Sequence, residues 1–168
     1  MPDAALLHEI RRWYAYADWA NAHMLDACDT LDPAALTREM GTSFGSVLGT
    51  LQHLYGADWV WSERFLGRSP TAGPALDALT SVPALREAWG RLAAERSRML
   101  DTIDPAQTAA PLAYRNLKGE AFAWPLGDLL FHVSNHATYH RGQVMQMVRQ
   151  LGGTARSTDF VLWLAAAR

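Results

Sequence analysis

The chain reads as an all-α protein: a four-helix bundle with a short additional C-terminal helix. Three observations predict this. Four long stretches carry apolar residues at helical spacing, and proline and glycine punctuate the gaps between them. No long run alternates apolar with polar residues as a half-buried strand would. Four long helices joined by short breaks are the pattern of a helix bundle.

The first helix is expected over about residues 3–28, where Leu6, Ile10, Trp13, Ala17, Ala20, Met24 and Ala27 recur on one face before Asp32-Pro33 stops the pattern. The second is expected to be capped by Thr42-Ser43 and to run through Leu48, Leu51, Leu54, Val60 and Phe65 to Gly67. A Pro/Gly-rich connection follows, from Gly67 to Pro74. The third helix starts near Ser81, takes Pro83 in its first turn and continues to about Ile103 along Leu85, Trp89, Leu92 and Met99. Residues 104–124 are the least helical, and Leu112–Arg115 with Ala121–Trp124 suit a small hairpin turning at Lys118-Gly119. The fourth helix opens at Pro125 and ends at Leu151, before Gly152-Gly153. A short fifth helix spans about 157–167, capped by Ser157 or Thr158.

A chain of 168 residues buries about two thirds of its unfolded surface, so residues 1–168 are expected to form one domain without disulfide support. Cys28 is the only cysteine, which excludes an intramolecular disulfide and a thiolate zinc cluster and suits a reducing cytoplasm. The start, MPDAALLHEIRR, lacks the apolar core of a signal peptide, and no stretch reaches the roughly 20 uncharged apolar residues of a membrane span. A net charge of −2 and a pI near 6.3 argue against nucleic acid or an anionic membrane as partner. Lys118 stands alone against fourteen arginines, a bias that fits genome composition better than function.

The segment richest in chemistry is His132-Val-Ser-Asn-His136-Ala-Thr-Tyr-His140-Arg-Gly-Gln143. Three histidines at intervals of four form a line on one helix face, and two imidazoles one turn apart can converge on a single ion. The outer two are separated by about 12 Å of helix rise, so all three cannot share it. Any site must therefore take one adjacent pair plus a ligand from elsewhere, and spacing does not choose the pair. His53, between Leu51 and Leu54 on the second helix, is expected to point inward, where a metal would serve an otherwise desolvated imidazole. His8 and His23 on the first helix are further candidates.

Three stretches resemble the DinB family, helical-bundle metalloenzymes unrelated to the DNA polymerase of that name. They are Tyr16-Ala-Asp-Trp-Ala-Asn21, Phe44-Gly-Ser-Val-Leu-Gly-Thr-Leu-Gln-His53-Leu-Tyr-Gly-Ala-Asp58, and Asn135-His136-Ala-Thr-Tyr-His140-Arg-Gly-Gln143. Gly152-Gly153 followed by Asp159-Phe160 fits as well. The resemblance implies metal ligation by His53, His136 and His140, and leaves His132 to packing or to the surroundings of the site. Asp58 lies about 140° around the helix from His53, which suits a cap, salt bridge or pocket role. Arg141 and Gln143 are expected to brace the bundle more than to serve the site, and Asn21 and Asp159 to hold structural hydrogen bonds. Trp59, Trp61 and Trp124 are core residues or walls of an apolar pocket beside the metal.

Three imidazoles leave a divalent ion with open positions, which points to catalysis, with zinc or nickel expected first and iron, manganese or copper as alternatives. A zincin peptidase would carry a glutamate where this chain has Ala137. The resemblance extends to a superfamily holding mycothiol-dependent maleylpyruvate isomerase and bacillithiol S-transferases. It therefore implies a small-molecule substrate, a low-molecular-weight thiol, S-transferase or detoxification chemistry, and pairing as a homodimer. The rival expectations are a hydrolase using bound water, with Asp58 as one candidate base, and a non-catalytic metal-binding stress protein.

Overall fold

The computed structural model describes residues 2–167. In chain order it contains α1 (Pro2–Cys28), a single turn α2 (Pro33–Leu36), α3 (Val47–Phe65) and α4 (Val82–Thr102). A 3₁₀ turn (Pro105–Ala109), strands β1 (Pro111–Arg115) and β2 (Ala121–Pro125), α5 (Leu126–Gln150) and α6 (Phe160–Ala166) complete it. The protein is thus mostly helical, and the expected all-α class is corrected by one small antiparallel sheet. That sheet is the hairpin, with Leu112 opposite Trp124 and Tyr114 opposite Phe122. Gly119 makes its turn possible at φ 84°, a left-handed conformation that a side chain disfavours.

Several boundaries shift for local reasons. Helix α3 is capped by Ser46, whose hydroxyl accepts from the Gly49 amide, and not by Thr42-Ser43. Residues 42–45 instead form a turn in which the Gly45 amide donates to the Thr42 carbonyl, with Gly45 at φ 73°. Pro33 ends α1's pattern but also starts α2, since its fixed φ suits a first helical position. Ser81 caps α4 as expected. Helix α6 begins only after Asp159, because the Ser157 hydroxyl accepts from the Asp159 amide in a local turn instead of capping a helix. The Asp159 side chain makes no cap bond, so its expected structural role is not seen.

Helix α1 packs on α5 and α4, and α3 packs on the same two, so the four long helices contact one another around a ring. Their inner faces form two apolar clusters. One holds Leu7, Ile10, Tyr14, Met99, Leu100, Ile103 and Leu130; the larger includes Met24, Leu51, Leu54, Leu85, Leu92, Val144 and Val148. Polar residues lie at the positions between them along each helix: half-buried Asp18 and buried Asn21 on α1, and buried Asp58 and Ser62 on α3, Arg96 on α4, Ser134 and Arg141 on α5. Arg96, 3% exposed, donates through one nitrogen to both oxygens of Asp58 at 2.8 Å and through the other to Asp18. Asp58 also accepts from the Trp89 indole at 3.1 Å. Arg141, 1% exposed, donates to Asn21 on α1 and to Thr138, and so braces α1 to α5 as expected.

Cys28 is fully buried in the larger cluster, and burial pushes its thiol up to about 12. No described helix is long and apolar enough to cross a membrane.

Candidate metal centre

The structure brings His53 of α3 to His136 and His140 of α5, and leaves His132 out. His140 is buried and the other two are half-buried, so the cluster sits where α3 meets α5 with one side toward solvent. The Nε2 atom of His140 lies 3.2 Å from that of His53 and 3.1 Å from that of His136. An ion 2.0–2.1 Å from two imidazole nitrogens spaces them about 3.3–3.4 Å apart at a tetrahedral angle and about 2.9 Å at a right angle. Both separations fall between these limits, and the candidate donor atoms of all three histidines lie within 4.8 Å of one another, so the cluster is positioned to bind one metal ion.

Hydrogen bonding sets the chemistry of the donors. His140 Nδ1 donates to the Gln143 side-chain oxygen at 2.7 Å, which leaves the Nε2 lone pair free to face the other two rings. Gln143 therefore serves the site, contrary to the bracing role expected of it. The signal was present in the sequence: three residues past His140, Gln143 lies one helical turn on. Replacing Gln143 with leucine should weaken metal affinity about 10–100-fold without lowering the melting temperature of the metal-free protein, measured by competition with a chromogenic chelator.

Burial pushes His136 down to about 4, helped by the neighbouring imidazoles of His140 and His53. Burial, and then His140, lowers His53 as well. Both rings thus stay neutral, ready to ligate, at pH values where ordinary histidines are charged. The unfolded chain takes up these protons near pH 6.5 and the folded chain resists them. Stability from these groups is therefore complete above about 6.5 and is lost as pH falls toward 4. In the metal-free protein, an NMR titration should place the His136 midpoint near 4 and well below that of a solvent-exposed histidine.

Aromatic rings frame the cluster. Phe44 stacks on His53 with ring centroids 3.8 Å apart, and Tyr139, 65% exposed, meets His140 edge-on at 4.9 Å. Sequence reading did not single out either ring. Phe44 is placed by the turn before α3, and that turn presses on the helix. A Cβ built on Gly49 would lie 2.1 Å from the Phe44 carbonyl oxygen. Gly49→Ala must therefore move the backbone that carries Phe44. It should cost on the order of 1–3 kcal/mol by overpacking, read as a drop in melting temperature together with weaker metal binding.

The remaining candidates fall elsewhere. His8 is exposed, and His23 shares a hydrogen bond and a ring contact with Trp19 on α1. Asp58 is the salt-bridge residue described above, bound to Arg96 and Trp89, so it is not free to serve as a base. Trp59 packs on the larger core cluster, whereas Trp61 and Trp124 line a hollow that His132 also borders.

The chain is 28% identical over 158 residues to Protein DinB of Bacillus subtilis (strain 168), covering 90% of this chain and 91% of that one. The fold matches the crystal structure of a DinB-like protein from Bacillus cereus ATCC 10987, with a TM-score of 0.69 at 16% identity, over 88% of this chain and 94% of the other. The model of the DinB family matches residues 1–167, and this chain belongs to the DinB family.

Proposed function

We propose that this protein is a metal-dependent enzyme that activates a low-molecular-weight thiol, in S-transferase or detoxification chemistry, with His53, His136 and His140 as the metal ligands. The observation that carries the reading is a three-nitrogen cluster on a solvent-facing flank, joined by no carboxylate or cysteine among the described residues. A closed structural zinc site takes four protein ligands, and three leave room for a substrate atom. A divalent transition metal, zinc or nickel before iron, manganese or copper, would supply Lewis acidity that lowers the pKa of a bound thiol or water.

The chain's own residues account for the rest. Gln143 holds the His140 ring, and Phe44 shields His53 from water on one side. Ala137 offers no general base, and Asp58 is engaged by Arg96. That distribution weighs against hydrolysis, which needs a base for water, and favours a thiol, whose S–H bond ionises more readily. In the transfer, the thiol proton passes to solvent and sulfur bonds to an electrophilic carbon. The leaving group departs with the bonding pair.

The test is conjugation of electrophiles with a panel of bacterial thiols, comparing metal-loaded with chelated protein. Metal-dependent conjugation is expected. Equal rates in both overturn the reading; ester or amide turnover without thiol would replace it with a hydrolase. Loss of thermal stability on chelation, with no turnover of any substrate, would replace it with a structural metal site.

The ring of contacts among α1, α5, α3 and α4 supports reading the long helices as a four-helix bundle and the chain as one domain. We place the protein in the cytoplasm as a homodimer, a state that light scattering after size exclusion would check.

A further inference from the structure

Beside the histidine cluster, the hairpin, α3 and α5 border an open hollow of about 290 Å³ lined by Trp61, Tyr114, Trp124, Asp128, Leu129 and His132. Its position is continuous with the candidate centre: the His132 ring is 5.2 Å from Trp61 on one side and 6.1 Å from His136 on the other. The hairpin sequence is built for it. Leu112, Tyr114, Phe122 and Trp124 share one face of the two strands, while Ala113, Ala121 and Ala123 occupy the other. All of the hairpin's aromatic rings therefore lie on one face, and two of them wall the hollow. That face is only partly covered, since Phe122 is 38% and Trp124 55% exposed. Trp124 also has no ring partner among the described residues.

Size and chemistry narrow the occupant. A hollow of this volume is at the low end for small-molecule sites and suits a single ring with small substituents. Planar aromatic walls favour a flat guest, which gains offset or edge-on stacking that a puckered ring cannot. Arg64 adds electronic character. It is 6% exposed, its Nε has no hydrogen-bond partner among the described residues, and its guanidinium carbon lies 4.6 Å from the Trp61 ring and 4.8 Å from Tyr114. This cation draws π density from both walls and suits them to an electron-rich guest. Asp128 is exposed at the rim, where its side-chain oxygens can accept a hydrogen bond.

We propose that this hollow holds the aromatic part of the substrate, a single electron-rich ring bearing a hydrogen-bond donor, a phenol or aniline, seated between Trp61, Tyr114 and Trp124 with its donor toward Asp128 and with the electrophilic carbon and its leaving group on a substituent of the ring. The inference rests on the thiol-transfer reading for what happens at that substituent, but not for whether the ring binds.

The test uses p-cresol as probe, with 4-methylcyclohexanol to remove planarity and 4-methylanisole to remove the donor. Binding is followed by the indole NH resonances of metal-free and metal-loaded protein. The expected result is saturable shifts at Trp61 and Trp124 with p-cresol, at least tenfold weaker binding of both controls, and at least tenfold weaker p-cresol binding in Trp124→Ala and Asp128→Ala. Trp124 and Asp128 are exposed, and unchanged melting temperatures would show that both variants fold. Equal binding of p-cresol and 4-methylcyclohexanol, or p-cresol binding unchanged in Trp124→Ala, overturns the proposal. The two readings fail separately. Ring binding with no thiol conjugation of any electrophile removes the transferase and leaves this site standing. Metal-dependent conjugation whose KM for aromatic electrophiles is the same in Trp124→Ala removes this site and leaves the transferase.

Discussion

Arg96→Met should lower stability by about 3–5 kcal/mol, the cost of stranding the buried carboxylate of Asp58 by removing the cation it shares with half-buried Asp18. For a domain of this size that corresponds to a fall in melting temperature of about 6–20 °C. Burial alone would lower the Arg96 pKa, but Asp58 and Asp18 outweigh it and hold the guanidinium firmly protonated. Asp18 is raised above the usual carboxylate range because burial outweighs the pull of Arg96. Without Arg96 that pull disappears, and the folded protein holds the Asp18 proton more tightly than the unfolded chain does. A raised carboxylate contributes stability that is present below the unfolded pKa and is lost as pH rises through the folded one. The deficit of Arg96→Met should therefore be largest at neutral pH and shrink as pH falls toward about 4, seen in thermal melts across that range. A deficit that does not change with pH would show that lost packing, and not stranded charge, sets the cost.

His140→Ala should have the largest effect on metal binding. His140 Nε2 is the central atom of the cluster, within 3.2 Å of both other candidate donor nitrogens, and its ring is held by Gln143. Full zinc sites with four ligands bind with about 10–16 kcal/mol, so one ligand accounts for roughly 3–4 kcal/mol, or 10²–10³-fold in affinity. Metal analysis after dialysis should find the variant empty, and thiol conjugation should fall to the uncatalysed rate. His132→Ala should retain its metal in the same preparation, because His132 lies outside the cluster.

The long helices were legible in the sequence because each repeats apolar residues over many turns, as Leu85, Trp89, Leu92 and Met99 do on α4. Short elements were not. Helix α2 lasts four residues, too few for periodicity, and the start of α3 depended on a turn fixed by Gly45 that competes with the apparent cap at Thr42-Ser43. The candidate site divides in the same way. Spacing gave a line of three histidines and could not choose a pair, since the choice depends on where α3 sets His53, a contact 87 residues apart in sequence. Phe44 and Tyr139 carried no signal because ring stacking has no sequence period. Gln143 carried one, at a single helical turn from His140, and its reach to the ring needed the folded rotamer to be seen.

Cys28 sets a boundary on how this protein can be inactivated. With its sulfur fully enclosed and its thiol pushed up to about 12, it presents almost no thiolate at neutral pH to peroxides or disulfides. Mixed disulfides with the cell's soluble thiols and oxidation to sulfenic acid both need that thiolate at the surface. The protein can therefore meet a high flux of reactive sulfur compounds without any cysteine of its own entering the exchange.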